Sequence, residues 1–306
     1  MSPQTTVRLS IGDALAIVTG LSPELAARLH DLMRPFVATS DAMPDGATDA
    51  TPDAAHEALS NAVNIQVNAV ADDAEDEDED EHENIHEPRG TRWIVRLRGE
   101  ELCSHTQADE LLKYLEWLAI AESLVATQRY AVFHSAALTC AAATVMLVGP
   151  SGAGKSTLTL HLIQRGWRPL GDDTALMDTE SGRLYPFPRC FHVEPAWSAQ
   201  ASAHADFEWP AGLVGYARPL HWATGGHTIS AIFLIERDAT SGSTCAPIPQ
   251  AQAAGALLVQ AIRTQLAPAQ IAQAAVRLAA GARCYQLTNG DLDGALDLIA
   301  THSSLK

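Results

Sequence analysis

Apolar and polar side chains alternate along Val63-Asn-Ile-Gln-Val-Asn-Ala-Val70 and along Thr91-Arg-Trp-Ile-Val-Arg-Leu-Arg98, and this predicts a half-buried strand at each. Arg8-Leu-Ser-Ile-Gly12 predicts another, and Ser22-Pro-Glu ahead of Leu25 reads as a capped helix running to Met33. Between residues 107 and 128, Leu111, Leu112, Leu115, Leu118 and Ile120 recur at helical spacing, so one long helix is expected there, packed beside the domain that follows. The next apolar runs are Arg129–Leu138 and Ala143–Val148, separated by a few small residues at hairpin spacing. Reflection about a turn near residue 141 sets His134 opposite residue 148, give or take two positions, beside the mouth of the loop that follows. Helical spacing resumes from Ser156 to Arg165 and closes at Gly166. Further on, a strand is expected at His227–Glu236, helices at 250–264 and 268–280, a strand at Arg283–Leu287, and a helix opened by Asp291. Alternation of this kind points to an α/β domain.

Composition and charge divide the 306 residues unevenly. The chain is 47% hydrophobic and 19% charged, as globular proteins are. From about Ala38 to Pro88, however, it is rich in Ala, Asp, Thr, Pro and Asn. Between Asp72 and Glu87 it carries 11 carboxylates and no Lys or Arg. Such a run buries too little apolar surface to offset its ordering entropy, so residues 72–88 are expected to form a disordered acidic loop. A docking arm for a basic partner, or a metal site through His82 and His86, is the sharper alternative. The net charge of −17 argues against general nucleic-acid binding, because a phosphate backbone would be repelled. The five cysteines form no CxxC pair, which fits a reducing cytoplasm. No export signal and no stretch of 18 apolar residues is present, so neither a membrane span nor membrane association is expected.

Chemistry concentrates at Gly149-Pro-Ser-Gly-Ala-Gly-Lys-Ser156, a complete nucleoside-triphosphate phosphate-binding loop with a strand expected before it and a helix after it. Polyphosphate needs many donors converging within a few ångströms. Gly149, Gly152 and Gly154 permit the backbone to present them, together with Pro150, Ser151, Ala153 and Thr157 as the remaining wall. The helix starting near Lys155 adds its positive end, Lys155 reaches the β- and γ-phosphates, and the Ser156 hydroxyl holds Mg²⁺. Asp172 and Asp173 follow a short apolar strand. A kinase needs one carboxylate for the metal and one to accept a hydroxyl proton, and this pair can supply both. Glu236, at the end of its own apolar strand, competes for the metal role.

Phe133-His-Ser-Ala, the loop through Thr157, Leu162-Ile-Gln-Arg-Gly-Trp-Arg168 and Gly171-Asp-Asp173 follow one another in an order and spacing that resemble the catalytic domain of HPr kinase/phosphorylase, particularly its shorter HprK-related kinases. Tyr185-Pro-Phe-Pro-Arg189 is similar as well. The resemblance is specific over roughly residues 129–190. It implies an α/β fold of the HPr kinase and phosphoenolpyruvate-carboxykinase-like type with a mixed central sheet. Ahead of this P-loop kinase domain, at residues 91–306, the reading places a smaller α+β N-terminal region at 1–90. It also implies ATP and Mg²⁺ as cofactors and phosphoryl transfer to a serine hydroxyl. In that scheme Asp172 is the base, His134 tunes it, Asp173 and Ser156 hold the metal, and Lys155 offsets charge on the transferred group. The two aspartates are free to exchange roles.

The long glycine-rich signature that belongs to the phosphorylase activity and to subunit assembly is missing after the double aspartate. A protein or peptide bearing a serine hydroxyl is therefore the expected partner, rather than HPr itself. Relatives of this type form homo-oligomers, although the assembly signature is absent here. Arg189 and Arg218 are candidates to clamp an anionic group. The competing reading is a nucleotide-binding regulatory or scaffold protein that transfers no phosphate.

Overall fold

The computed structural model describes residues 5–37, 62–71, 91–141, 143–194, 197, 205–210, 213–238 and 240–304. The acidic segment 72–88, with His82 and His86, lies outside them. The chain forms two compact units that meet between Ser123 and Leu124, well beyond the boundary at residue 90 read from the sequence. The reason for the later boundary is pairing. Two strands past residue 90 complete the N-terminal sheet.

That sheet has the order β1-β2-β3-β4-β5: β1 Thr5–Ile11, β2 Ala14–Leu21, β3 Val63–Ala71, β4 Thr91–Leu97 and β5 Glu100–His105. The β2–β3 pair is parallel and its neighbours are antiparallel. Val63, Ile65 and Val67 are buried while Asn64 and Gln66 are exposed, as the alternation in the sequence requires. Helix α1, Pro23–Leu32, is capped by Ser22, whose hydroxyl accepts from the Leu25 amide at 3.3 Å, with Pro23 in the first turn where its missing N–H costs nothing. Helix α2, Ala108–Ala126, covers most of the span expected of the long helix.

The second unit is built on a mixed six-stranded sheet of order β16-β18-β15-β8-β7-β9. Its strands are β7 Ala136–Cys140, β8 Ala143–Val148, β9 Arg168–Gly171, β15 Ala231–Arg237, β16 Thr244–Pro247 and β18 Arg283–Asn289. Strands β8, β15 and β18 run parallel, and β7, β9 and β16 run against their neighbours. Two hydrophobic clusters explain why β8 and β15 read as unbroken apolar runs. Val145, Leu147, Phe233 and Ile235 pack into one, and Met146, Val148, Ile232 and Leu234 into the other. Helices α3, Lys155–Gln164, and α6, Leu292–Ser304, supply Leu158, Leu162, Leu296 and Ile299 to the first face. Helices α4, Gln250–Val259, and α5, Pro268–Ala280, supply Leu257, Ala275 and Leu278 to the second. A strand covered on both faces needs no alternation.

The run 129–138 is not one strand. It breaks at His134 and Ser135: β6, Tyr130–Phe133, belongs to a separate four-stranded sheet, and only β7 forms the hairpin with β8. In that second sheet β6 pairs with β10, Ala175–Asp178, and with β17, Ala261–Ile262, while β11, Leu184–Tyr185, closes one edge. Formation of β17 also ends the helix expected at 250–264 early, because residues 261 and 262 satisfy their backbone against Phe133 and Val132 instead. Short strands β12 Phe191–His192, β13 Phe207–Glu208 and β14 Tyr216–Pro219 make a small third sheet. Among the described residues no helix is long and apolar enough to cross a membrane.

Candidate functional site

Sheet register brings three chain segments to one edge of the large sheet. Ala136 pairs with Leu147 and Ala137 with Gly171, so the entry to β7, the exit of β8 and the exit of β9 lie side by side. Residues 149–154 therefore leave the sheet next to Asp172 and Asp173. The hairpin register puts Ser135 across from Val148, one position from the reflection expected of His134.

The loop is held close by its neighbours. A Cβ on Gly149 would stand 2.7 Å from the Ile235 carbonyl oxygen on β15. Gly154 takes φ 98° as the residue before α3, a left-handed conformation that favours glycine, and a Cβ there would meet the Asn289 side-chain nitrogen at 2.7 Å. Both positions are cradles that only a glycine fits. Lys155 is buried and its ammonium donates to the carbonyls of Gly149 at 2.8 Å and Pro150 at 3.1 Å. Burial pulls its pKa below the ordinary lysine range, an effect that the charges of Asp172 and Asp173 oppose.

Asp172 is the most perturbed acid of the site. It is 8% exposed, and its Oδ1 is buried without a hydrogen-bond partner. Burial first, and the neighbouring charge of Asp173 second, push its pKa up to about 7 against the opposing pull of Ser156, Lys155 and Arg189. Asp173 is more open. Its Oδ1 accepts from the Thr174 hydroxyl at 3.0 Å and its Oδ2 pairs with Arg189 at 2.9 Å. Arg189 is thus engaged with an aspartate instead of standing free for an anion, and it also reaches His192 Nε2 at 3.3 Å. Arg218 pairs with Glu208 at 3.0 Å in the small sheet.

His134 is half-buried, and its amide donates to the Gln260 carbonyl at 2.7 Å. Among the described residues no hydrogen bond joins its ring to Asp172, so the structure sets the two near one sheet edge without the contact that tuning requires. Glu236 is exposed and is not linked to the aspartate pair by any hydrogen bond or ion pair among the described residues. The described residues hold no group of three or more His, Cys, Asp or Glu arranged for a metal ion.

No family model and no curated protein matches the chain. Among solved structures that do match, the Hpr(Ser) kinase/phosphatase from Coxiella burnetii shares 13% identity over 56% of this chain and 95% of that chain, with a TM-score of 0.27.

Two cavities flank the loop. One, of about 590 Å³, is walled by residues 148–153 and by Ala256, Val259, Gln260 and Gln286. The other, of about 550 Å³, opens beside Ser156 and Thr157. Neither cavity was legible in the sequence, because their walls include residues as far downstream as Arg237 and Gln286. The Arg189–Asp173 bridge was likewise missed. The available signal was Arg189 following the aspartate pair, but nothing in the spacing fixes which group that arginine meets.

Proposed function

We propose that the protein is an ATP- and Mg²⁺-dependent kinase that transfers the γ-phosphoryl group to a serine-type hydroxyl of a protein or peptide. One observation carries the reading: a buried carboxylate, Asp172, keeps one oxygen without a partner beside a strand–glycine loop–helix unit whose lysine and serine face it. A merely structural aspartate buried to this degree would be expected to have both oxygens satisfied.

The residues present fit the nucleotide and the metal. The Gly149 and Gly154 cradles let backbone amides approach phosphate oxygens, and the first turn of α3 supplies the positive end of a helix. The 590 Å³ cavity is large enough for a nucleoside, with Val259 and Ala256 for a base face and the Gln260 and Gln286 amides for its edge. Ser156 and Asp173 offer the hard oxygens that Mg²⁺ takes, which is the usual arrangement where substrate phosphates complete the shell. When bound, the ion neutralises charge on the phosphate oxygens.

The chain's own groups then divide the work. Asp172 Oδ1 accepts the proton of the attacking hydroxyl, and a carboxylate titrating near neutrality is matched to that task. Lys155 exchanges its two carbonyl contacts for phosphate oxygens, releasing a desolvated cation onto the transferred group. Arg189 holds Asp173 in place from behind.

The test is incubation of the purified protein with γ-labelled ATP, Mg²⁺ and a cell lysate, beside Asp172→Asn. A labelled acceptor absent from the variant supports the kinase. Tight ATP binding without transfer in either sample favours the regulatory or scaffold reading.

A further inference from the structure

Strand β18 ends at Asn289, beside the phosphate loop. The half-buried side chain of this residue donates from Nδ2 to the Ala153 carbonyl at 3.5 Å. The same nitrogen is what a Cβ on Gly154 would meet at 2.7 Å, so the amide group lies directly against the peptide that joins Ala153 to Gly154. None of the roles assigned above uses this residue.

Asn289 is fixed in place from several directions. It pairs with Arg237 on β15, and its carbonyl accepts from the Asp238 amide at 3.2 Å. The Ser243 hydroxyl accepts from the amides of Gly290 at 3.1 Å and Asp291 at 3.0 Å, and a Cβ on Gly290 would stand 1.9 Å from the Ser241 carbonyl oxygen. Asp291 in turn caps α6, its carboxylate accepting from the Gly294 amide at 2.7 Å. A side chain on so constrained a backbone is suited to setting the orientation of its neighbour.

Carbonyl oxygens carry partial negative charge, so a loop that holds phosphates must turn them aside and present N–H groups instead. In a trans peptide the C=O and the N–H point in opposite directions, and the direction of one sets the other. Lys155 already meets the carbonyls of Gly149 and Pro150. Asn289 meets that of Ala153, and among the described residues no hydrogen bond occupies the Gly154 amide. We infer that Asn289 is a positioning residue for the nucleotide phosphates: by holding the Ala153 carbonyl it keeps the Gly154 N–H turned to the anion. This rests on the nucleotide-binding part of the kinase reading and needs no acceptor. Gly154, at φ 98°, has no side chain to resist rotation of that peptide, so the restraint comes from outside the loop. When a nucleotide draws Lys155 away from its two carbonyls, Asn289 remains as the tether.

The experiment titrates the full chain with mant-ADP and then compares ADP with adenosine as competitors, since adenosine reports the nucleoside pocket without the phosphates. Asn289→Ala should weaken ADP about tenfold, the scale of one hydrogen bond to a charged group, and leave adenosine unchanged. Asn289→Leu keeps much of the side-chain shape without a donor or a charge, and should weaken ADP as much as Ala does. A role in filling space alone predicts instead that Leu stays close to the wild type, or that ADP and adenosine weaken together. Either result overturns the inference, as does unchanged ADP affinity in both variants. Should Asn289→Ala melt below the assay temperature, the ADP and adenosine affinities of Asn289→Leu decide alone. Failure of the wild type to bind mant-ADP overturns the nucleotide reading itself, and the role of Asn289 with it.

Discussion

Gly149 lies against Ile235 so closely that a methyl group on it would stand 2.7 Å from the Ile235 carbonyl oxygen. The obstacle is backbone of a central strand, which cannot rotate away as a side chain can. Gly149→Ala should therefore displace the start of the loop and leave the sheet standing. We expect a circular dichroism spectrum like the wild type's and at least tenfold weaker mant-ADP binding, equivalent to about 1.4 kcal/mol. Unchanged ADP affinity would mean that the loop does not hold phosphates.

Asp172→Asn separates chemistry from stability. The folded pKa, about 7, lies above the ordinary aspartate value near 4, so the native state prefers the protonated acid. That stabilising contribution is fully present below pH 4 and is lost as pH rises through 7. The amide mimics the protonated form, so the variant should be more stable than the wild type at pH 8, by on the order of 4 kcal/mol, and by only about 1 kcal/mol at pH 5. Paired thermal melts at the two pH values read this directly. A variant that melts lower at pH 8, or that still transfers phosphate, would count against the assigned role.

Lys155 donates to two loop carbonyls, and a nucleotide must draw it away from them. Lys155→Met removes the cation but keeps the apolar stem. Catalysis should fall by about 100-fold or more, since the lost charge acts on the transferred group. Melting temperature should change little, because the stem remains packed. Single-turnover transfer measured beside the melt distinguishes this from unfolding.

Asp178 provides a contrast far from the loop. Its side chain is 2% exposed and pairs with Arg129 at 2.6 Å, while its Oδ1 accepts from the amides of Glu180 and Ser181. Burial pushes its pKa up, but the Ser181 amide and Arg129 outweigh that and hold it below the ordinary carboxylate range. The stability it contributes is present above pH 4 and lost as pH falls through the folded value. Asp178→Ala should cost roughly 3 kcal/mol at pH 7 and less at pH 3, which urea titration at the two pH values measures.

The strands and helices that carry a periodic signal were legible in the sequence. Val63–Val70, the Ser22-capped helix and the strand, loop and helix around residue 149 are of this kind, because local burial alone dictates their pattern. The break at His134 was not legible. Ala131–Phe133 and Ala136–Leu138 are both apolar because each half of the run is buried, but in different sheets, and only pairing with residues 175–178 and 261–262 separates them. At the site, the residue types of Lys155, Ser156, Asp172 and Asp173 announce themselves. Their partners do not. Whether Arg189 meets a substrate or Asp173, and whether Trp197 lines a cavity or fills one, depends on contacts across the small sheet that no spacing encodes.

Strand β8 sits between β7 and β15, and β15 in turn between β8 and β18, so the loop at residue 149 is anchored by chain that begins at residue 231 and ends at residue 289. During synthesis the loop emerges from the ribosome well before either strand. A nascent chain exposing residues 149–156 has the motif but not the sheet that shapes it, and Gly149 has no Ile235 to lie against. Any ligand of that loop is met only after residue 289 has been made, which makes ligand capture a late reporter of the folding of this sheet.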